Sequence, residues 1–194
     1  SSTKIKLGLN PDKYFDLPIE VINDFRQGFE FAEREVESWK AVLNNSLKDS
    51  TFANKWNISF NSKLPEFDLP EFVTGQTIAT RKVWGSMIEA IATVHPTFVG
   101  GSADLEPSNV TGGFAKMVGD FLKDSQMNRN MAFGVREFPM GAINNGIAQH
   151  GGLKVFGATF FAFSDYERPA LRLRALQKLP VITEYTHDSI YVGE

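Results

Sequence analysis

Four short apolar runs in the sequence are each followed at once by side chains that can hold or transfer a proton. Carboxyl and imidazole groups are the usual carriers of acid–base chemistry near neutral pH. A single acidic residue after such a run more often caps the next helix, because carboxylates are favourable at helix N-termini. Four such positions in one chain favour a shared site over four separate caps. The residues are Asp104, Arg136 with Glu137, Asp165 with Tyr166, and His187 with Asp188.

Several common catalytic motifs are absent from the sequence. There is no cysteine, which excludes thiolate catalysis and cysteine-ligated metal sites. His95, His150 and His187 are too dispersed for a histidine-based metal motif, and Ser102 lacks the G-x-S-x-G context of a hydrolase nucleophile. The sequence also contains neither a P-loop nor a G-x-G-x-x-G motif. A cofactor that carries phosphate would therefore need its phosphates bound by residues outside this chain, and we expect no metal ligand within it.

The overall composition is that of a globular protein, with 194 residues, 42% of them hydrophobic, and a net charge of -3. This charge provides no basic field to bind nucleic acid or an anionic membrane surface. No run of 18 apolar residues predicts a membrane span, and no basic-then-apolar leader opens the sequence. We therefore expect a cytoplasmic protein with neither nucleic acid nor membrane as a partner.

Helices and short strands are predicted to alternate from about residue 80 onward. Helical spacing of apolar residues occurs in 82–94, 113–122, 137–150 and 166–179, and short apolar runs predict strands at 97–100, 131–135, 155–161 and 181–185. This alternation indicates right-handed βαβ units. The predicted fold class is α/β, a doubly wound parallel sheet with helices on both faces. Ligands of such sheets bind beyond the carboxyl ends of the strands, where the proton-transfer residues would lie.

The first third of the sequence is predicted to form a long amphipathic helix. Apolar residues at 19–47 recur at steps of three and four, which indicates one apolar stripe packed against other parts of the protein. Asp16 is the expected N-cap, and Pro18 suits the first helical turn. Gly28 lies inside the pattern and costs about 1 kcal/mol relative to Ala, so we expect a kink or a break there.

A linker is predicted at residues 61–78, because prolines and a glycine interrupt a segment without sustained periodicity. The chain begins with Ser and stops just after a predicted strand, so we expect it to be a piece of a larger protein. The predicted organisation is a helical segment with an extended linker over 1–74, and an α/β domain over 75–194 that is truncated near its end.

Several longer motifs resemble the transketolase family, and the similarity extends over about residues 75–194. The motifs are IATRK at 78–82, GGSADLEPSN at 100–109, GVRE at 134–137 with MGAI at 140–143, the segment 160–166, Arg172-Leu173, and THDSI at 186–190. The resemblance implies the pyrimidine-binding domain of a thiamine diphosphate enzyme, preceded by the family's inter-domain segment at 1–74. It also implies that the diphosphate and its Mg²⁺ or Ca²⁺ are bound by an N-terminal domain outside this chain.

The resemblance assigns cofactor-binding roles to five residues. Glu137 would be the catalytic carboxyl that hydrogen-bonds N1′ of the aminopyrimidine ring and favours the tautomer needed for its activation. Phe160, Phe163 and Tyr166 would form the aromatic pocket of that ring, although ordinary core packing is the alternative for at least one of them. Asp104 would lie near the thiazolium ring.

The resemblance also implies a substrate site for sugar phosphates. Arg81 and Ser108 would contact the phosphate group, for which an arginine fork is well suited. His187 would act at the substrate channel as both a catalytic and a substrate-binding residue. By residue type alone, Arg81 could equally form a surface salt bridge and Ser108 a turn beside Pro107.

The implied activity is that of a transketolase, which transfers a two-carbon ketol unit between sugar phosphates. Another thiamine diphosphate enzyme, such as dihydroxyacetone synthase, and a non-catalytic α/β binding module stay open as alternatives. Because the family's site is shared between two subunits, we expect a homodimeric parent protein and an inactive isolated fragment. Phe138-Pro139 departs from the family's frequent His-Ala, but Pro139 fits the first turn of a helix.

Overall fold

The structure, a computed structural model, describes residues 1–60 and 66–188. Residues 61–65 of the predicted linker lie outside the described residues, as do residues 189–194 with Ser189 and Ile190 of the last motif and the expected truncated end. The chain divides into two compact units, Ser1–Ala53 and Asn54–Glu194. The boundary between residues 74 and 75 stays a prediction. Within the described ranges, no helix combines the length and the apolar character needed to cross a membrane.

The first unit is helical, as predicted, but its long helix begins and continues differently. Its helices are α1 (Ser2–Lys6), α2 (Ile19–Ser46) and the start of α3 (Ser50–Phe60). Pro18 occupies the N-cap position of α2, and Asp16 pairs instead with Lys13 at 3.4 Å. The expected break at Gly28 is wrong, because α2 runs through it uninterrupted. A glycine cost of about 1 kcal/mol is too small to divide so long a helix.

The apolar stripe of α2 is exposed. All 28 residues of the helix are described, and none of them is buried. Phe25 remains 73% exposed and Phe29 61%. The expectation that this stripe is packed is therefore wrong within the first unit. Apart from α2, residues 1–53 contain only the five-residue α1 and the start of α3, which is too little to cover the stripe.

The second unit contains a parallel sheet of three strands in the order β1-β2-β3. The strands are β1 (Phe98–Ser102), β2 (Lys154–Phe160) and β3 (Val181–Thr186). Val155 of β2 pairs with Val99 of β1 and with Val181 of β3. The strands predicted at 97–100, 155–161 and 181–185 are thereby confirmed, with ends shifted by one or two residues.

Aromatic side chains fill the space between one face of the sheet and two helices. These helices are α4 (Thr80–Val94) and α6 (Gly112–Val118). Phe98 and Phe156 stack with their ring centroids 5.1 Å apart, and Phe114 meets both rings edge-on. Burial of each ring stabilises the fold by about 1.5–3 kcal/mol.

Two further helices cover the opposite face of the sheet. They are α7 (Glu137–His150), at the bounds predicted from the sequence, and α8 (Ser164–Gln177), which follows a 3-10 turn at Phe161–Phe163. Gly157 follows Phe156 in β2 and therefore faces the opposite side of the sheet. A Cβ at Gly157 would lie 2.6 Å from Nδ2 of Asn144 in α7. The predicted α/β fold, a parallel sheet with helices on both faces, is therefore confirmed.

The strand predicted at 131–135 is wrong. Residues 129–133 run beside β1 but pair with it at isolated positions, where Met131 N donates to Gly100 O at 2.8 Å and Phe133 N to Ser102 O at 3.2 Å. The Met131 carbonyl oxygen fills the space where a Cβ of Gly101 would stand, which interrupts a regular ladder. Residues 129–133 lie on one side of β1, and β2 lies on the other side. The segments that follow β1 in the sequence therefore lie on opposite sides of it, which creates a topological switch point.

The connection after β1 is more broken than predicted. It begins with a short helix, α5 (Glu106–Asn109), inside the GGSADLEPSN motif. The helix predicted at 113–122 ends at Val118, because Gly119 adopts a left-handed φ of 72°.

Candidate functional site

The predicted site residues lie along the carboxyl-end edge of the sheet. Asp104 lies two residues beyond β1, Phe160 is the last residue of β2, and His187 directly follows β3. Glu137 opens α7, just after the segment that runs beside β1. The carboxyl ends of parallel strands share one edge, so these residues border the switch point.

The backbone is left-handed at three residues that follow the strands β1 and β3. Asp104, His187 and Asp188 have φ values of 64°, 59° and 63°. Such values are uncommon for residues other than glycine and cost about 1 kcal/mol or more. The Asp188 carboxylate fixes its turn by accepting a hydrogen bond from Ala162 N at 2.5 Å. Strained residues that surrounding contacts hold in place are often found at binding sites.

Four rings form a continuous row at the end of β2 and the start of α8. The rings of Phe160 and Phe163 are nearly parallel, at 14°, with centroids 5.8 Å apart. The His187 imidazole lies 4.3 Å from the Phe160 ring, and Tyr166 lies 6.1 Å from Phe163. The structure therefore brings together the three aromatic residues and the histidine that the sequence singles out, as one row in which the His187 and Tyr166 rings are tilted by 44° and 45° to their neighbours.

Arg81 meets His187 directly, through a contact between Nη1 and Nε2. The His187 Nδ1 also lies 2.9 Å from Thr186 Oγ1, at hydrogen-bond distance. The same hydroxyl oxygen accepts from Asn109 Nδ2 at 2.7 Å, and Asn109 Oδ1 accepts from Ser102 Oγ at 2.6 Å. These hydrogen bonds hold the His187 imidazole in place and join the ends of β1 and β3.

Sequence reasoning did not single out Asn109 or Thr186. Both are buried and carry the hydrogen bonds that hold His187 in place. The signal that could have identified them is their position inside two of the quoted motifs, GGSADLEPSN and THDSI. Amide and hydroxyl groups that are buried need hydrogen-bond partners.

A cavity of about 640 Å³ opens between the start of α4 and β3. Its lining includes Arg81, Trp84, Glu184, Thr186 and His187. Both carboxyl oxygens of Glu184 are buried without a hydrogen-bond partner among the described residues. Desolvation by burial raises the pKa of Glu184 to about 8, although Arg81 opposes the shift. The sequence places Glu184 in a strand but gives no sign of this environment.

Replacing Glu184 with Gln should remove a pH dependence of folding stability. Because the pKa of Glu184 is about 8 in the folded chain and ordinarily 4.5, the folded state holds an extra proton between these values. The contribution of Glu184 to the free energy of unfolding should therefore fall as the pH rises from 5 to 8, by about 2 kcal/mol after allowance for solvent screening in the open cavity. Urea denaturation at both pH values measures this.

The control for this experiment is the exposed residue Glu71, whose Gln variant should keep the wild-type slope. Equal slopes in the wild type and Glu184→Gln would contradict the buried position of the Glu184 carboxyl group.

The Glu137 side chain is buried at the first turn of α7. Among the described residues it has no hydrogen-bond or ion-pair partner, so its carboxyl group is available to a ligand. Its neighbourhood includes a second carboxyl group, that of Glu167 in α8, with which it interacts electrostatically. Gly141, one turn after Glu137, makes room for Glu167: a Cβ there would lie 2.6 Å from the Glu167 Oε1.

Glu167 belongs to a buried polar network beneath α7 and α8. It is fully buried, accepts from Arg174 Nη2 at 3.0 Å and from the Tyr185 hydroxyl at 2.8 Å. Arg174 Nε also donates to Asn145 Oδ1 at 2.9 Å, and Nη1 contacts Thr183. Desolvation raises the pKa of Glu167, the hydrogen bonds from Tyr185 and Arg174 oppose this, and nearby Glu137 adds to it. The network supports the floor of the site.

Asp104 and Ser108 stand apart from the other candidates. Asp104 is exposed and Ser108 is half-buried in α5. Within residues 1–60 and 66–188, no hydrogen bond or ion pair joins either residue to Arg81, Glu137 or His187. The same ranges contain no group of three His, Asp or Glu side chains arranged to hold a metal ion.

Comparison with known proteins supports the sequence resemblance. The family described as "Transketolase, pyrimidine binding domain" matches residues 76–194. The transketolase of Geobacillus stearothermophilus is 57% identical over 185 residues, and that of Halalkalibacterium halodurans 46% over 184. Each alignment covers 93% of this chain and 27% of the relative. The chain thus spans about a quarter of the length of these relatives.

Solved structures show the same similarity. The Leishmania mexicana transketolase has a TM-score of 0.88 at 35% identity, over 98% of this chain and 29% of that one. The Pichia stipitis transketolase, solved in complex with sedoheptulose 7-phosphate, has a TM-score of 0.86 at 35% identity. That alignment covers 98% of this chain and 30% of the other. The strand-end site, the family match to residues 76–194 and relatives at up to 57% identity lead to one conclusion: the chain belongs to the transketolase family.

Proposed function

We propose that this chain provides the aminopyrimidine-binding half of a transketolase active site. The observation that carries the proposal is the nearly parallel pair of rings, Phe160 and Phe163, on the same sheet edge as the buried carboxyl group of Glu137, which has no partner among the described residues. An aromatic wall formed by these rings and one available carboxyl group fit the two needs of an aminopyrimidine ring. The residues therefore fit thiamine diphosphate, which when bound supplies the carbon nucleophile for cleavage next to a ketose carbonyl.

The side chains of the site divide this work between them. Glu137 holds a proton at N1′ of the ring, while Phe160, Phe163 and Tyr166 position the ring and keep water from one side of it. Asp104, exposed at the edge, would interact with the cationic ring of the cofactor. Arg81, Ser108 and His187 bind the sugar phosphate, for which the guanidinium group of Arg81 supplies a charged fork. His187 orients substrate oxygens.

The remainder of the active site is proposed to lie outside this chain. Mg²⁺ or Ca²⁺ and the diphosphate would be bound by another domain, and a homodimer in the cytoplasm would bring the two halves together. Residues 1–74 would connect these domains and residues 75–194 would form the pyrimidine-binding domain. The 194-residue chain alone should therefore show no turnover. The relatives above are named transketolase, so dihydroxyacetone synthase and a non-catalytic module are not favoured.

Thiamine binding to the chain tests the aromatic wall. A titration followed by NMR should shift the ring resonances of Phe160 and Phe163, and Phe163→Ala should weaken binding about fivefold, the scale of one lost stacking contact. The matched control is Phe161→Ala, since Phe161 is the adjacent aromatic residue but lies outside the row and contacts Tyr185. Shifts confined to other residues, or equal losses in both variants, would refute the assignment.

A further inference from the structure

The three residues that we propose to bind phosphate lie on three separate segments of the chain. Arg81 is in the first turn of α4, Ser108 is in the short helix α5, and His187 directly follows β3. One phosphate group can contact all three only if these segments keep fixed positions relative to one another. Arg81 contacts His187 directly, whereas no described hydrogen bond joins Ser108 to either of them. Other residues must therefore hold α5 in place.

Asn109, the last residue of α5, joins this helix to the end of β3. Its side chain is fully buried, and its Nδ2 donates to Thr186 Oγ1 at 2.7 Å. The other end of the amide group is bound to β1, because Ser102 Oγ donates to Asn109 Oδ1 at 2.6 Å and itself accepts from Leu105 N at 3.1 Å. Thr186 Oγ1 in turn lies 2.9 Å from His187 Nδ1. The position of α5 is thereby linked to that of the imidazole.

Val110, the next residue, packs α5 against α4. Its backbone is left-handed, with a φ of 54°, which is rare for a β-branched residue. The contact requires a glycine on α4: a Cβ at Gly85 would lie 2.7 Å from the Val110 carbonyl oxygen and 2.8 Å from Val110 Cγ1. Gly85 is four residues after Arg81 and therefore lies on the same face of α4. Strained residues that neighbouring contacts hold in place are often part of a functional site.

We propose that Asn109 and Val110 are positioning residues, which hold the three segments of the proposed phosphate site in fixed relative positions. Asn109 sets the distance between α5 and the end of β3, and Val110 sets the distance between α5 and the first turns of α4. Neither residue needs to contact a ligand itself. The inference rests on the proposed role of Arg81, Ser108 and His187 in phosphate binding.

The first test removes the link between Asn109 and His187 and leaves side-chain size nearly unchanged. In the 194-residue chain, Thr186→Val should shift the His187 imidazole resonances in NMR spectra and weaken binding of inorganic phosphate about fivefold, the scale of one hydrogen bond. Thr186→Ser keeps the hydroxyl group and should keep both readouts close to wild type. Asn109→Ala should shift the same resonances as Thr186→Val, because Asn109 is linked to the ring through Thr186.

The second test moves α5 away from α4. Gly85→Ala places a methyl group against the Val110 carbonyl oxygen, so α5 should shift and phosphate binding should weaken by a similar factor. The matched control is Gly146→Ala in α7, where a Cβ would meet nothing within 4 Å. Its phosphate affinity should equal that of the wild type. Thermal denaturation of each variant checks that the chain remains folded.

The outcomes separate the positioning roles from the phosphate site itself. Wild-type phosphate affinity in Asn109→Ala and Thr186→Val would overturn the role of Asn109, as would equal losses in Thr186→Ser and Thr186→Val, while phosphate binding at Arg81 would stand. Equal affinities of Gly85→Ala and the wild type would overturn the role of Val110. If the wild type bound no phosphate, or if Arg81→Met bound it as tightly, the proposed phosphate site would be overturned and the positioning roles with it.

Discussion

Replacing Glu137 with Gln in the full-length protein is expected to lower turnover by at least about 100-fold, the scale of general acid–base assistance. Glu137 opens α7 at the switch point, its side chain is buried, and no described residue competes for its carboxyl group. Glutamine has nearly the same shape but cannot hold the transferable proton at N1′. Hydrogen–deuterium exchange at C2 of the thiazolium ring should slow in parallel with turnover.

The measurement of exchange distinguishes a chemical role from a structural one. A variant that merely disturbed packing would lose folding stability and cofactor affinity together, whereas Glu137→Gln should keep both close to wild type. Exchange at the wild-type rate would remove Glu137 from its proposed role, whatever the effect on turnover.

Replacing Arg174 with Met is expected to cost about 3–5 kcal/mol of folding stability at pH 7, the usual cost of leaving one member of a buried ion pair uncompensated. Its partner Glu167 is fully buried, and the Arg174 side chain is only 10% exposed. Burial already raises the pKa of Glu167, so the stranded carboxyl group should respond by binding a proton. The loss should accordingly be smaller at pH 5 than at pH 7.

The matched control is the double variant Glu167→Met with Arg174→Met. Removing both groups leaves no uncompensated charge, and only neutral partners such as Tyr185 and Asn145 lose a hydrogen bond, so the double variant should lose clearly less stability than Arg174→Met alone. Urea denaturation of the wild type, the single variants Glu167→Met and Arg174→Met, and the double variant gives the coupling free energy directly. If the double variant lost as much stability as Arg174→Met alone, the large effect would come from packing and not from the pair.

The elements that the sequence predicts well are those whose signal is local. The helix at 137–150 has apolar residues at helical spacing and stops at Gly151-Gly152, and the structure places α7 at the same bounds. The polar residues after each apolar run lie at one edge because parallel strands share a direction. The row of Phe160, Phe163 and His187 follows from this placement.

The features that the sequence did not predict depend on contacts between distant segments. Residues 131–135 look like a strand, but the Met131 carbonyl over Gly101 interrupts the ladder. An acidic residue in a strand or a helix looks solvent-exposed, yet Glu184 borders a cavity and Glu167 is paired inside the unit. Neither environment can be predicted from residue spacing, because each is created by the packing of a helix on the sheet.

At the left-handed turns of Asp104, His187 and Asp188, the residue that would be best for folding stability differs from the residue that the site needs. A glycine at position 187 would relieve about 1 kcal/mol of backbone strain, partly offset by the greater freedom of glycine in the unfolded chain. Directed evolution for heat resistance alone would therefore tend to accept glycine or asparagine at these turns. Each such gain would delete an imidazole or a carboxylate from the edge of the sheet, so thermostable variants of this chain should be screened for ligand binding at every round.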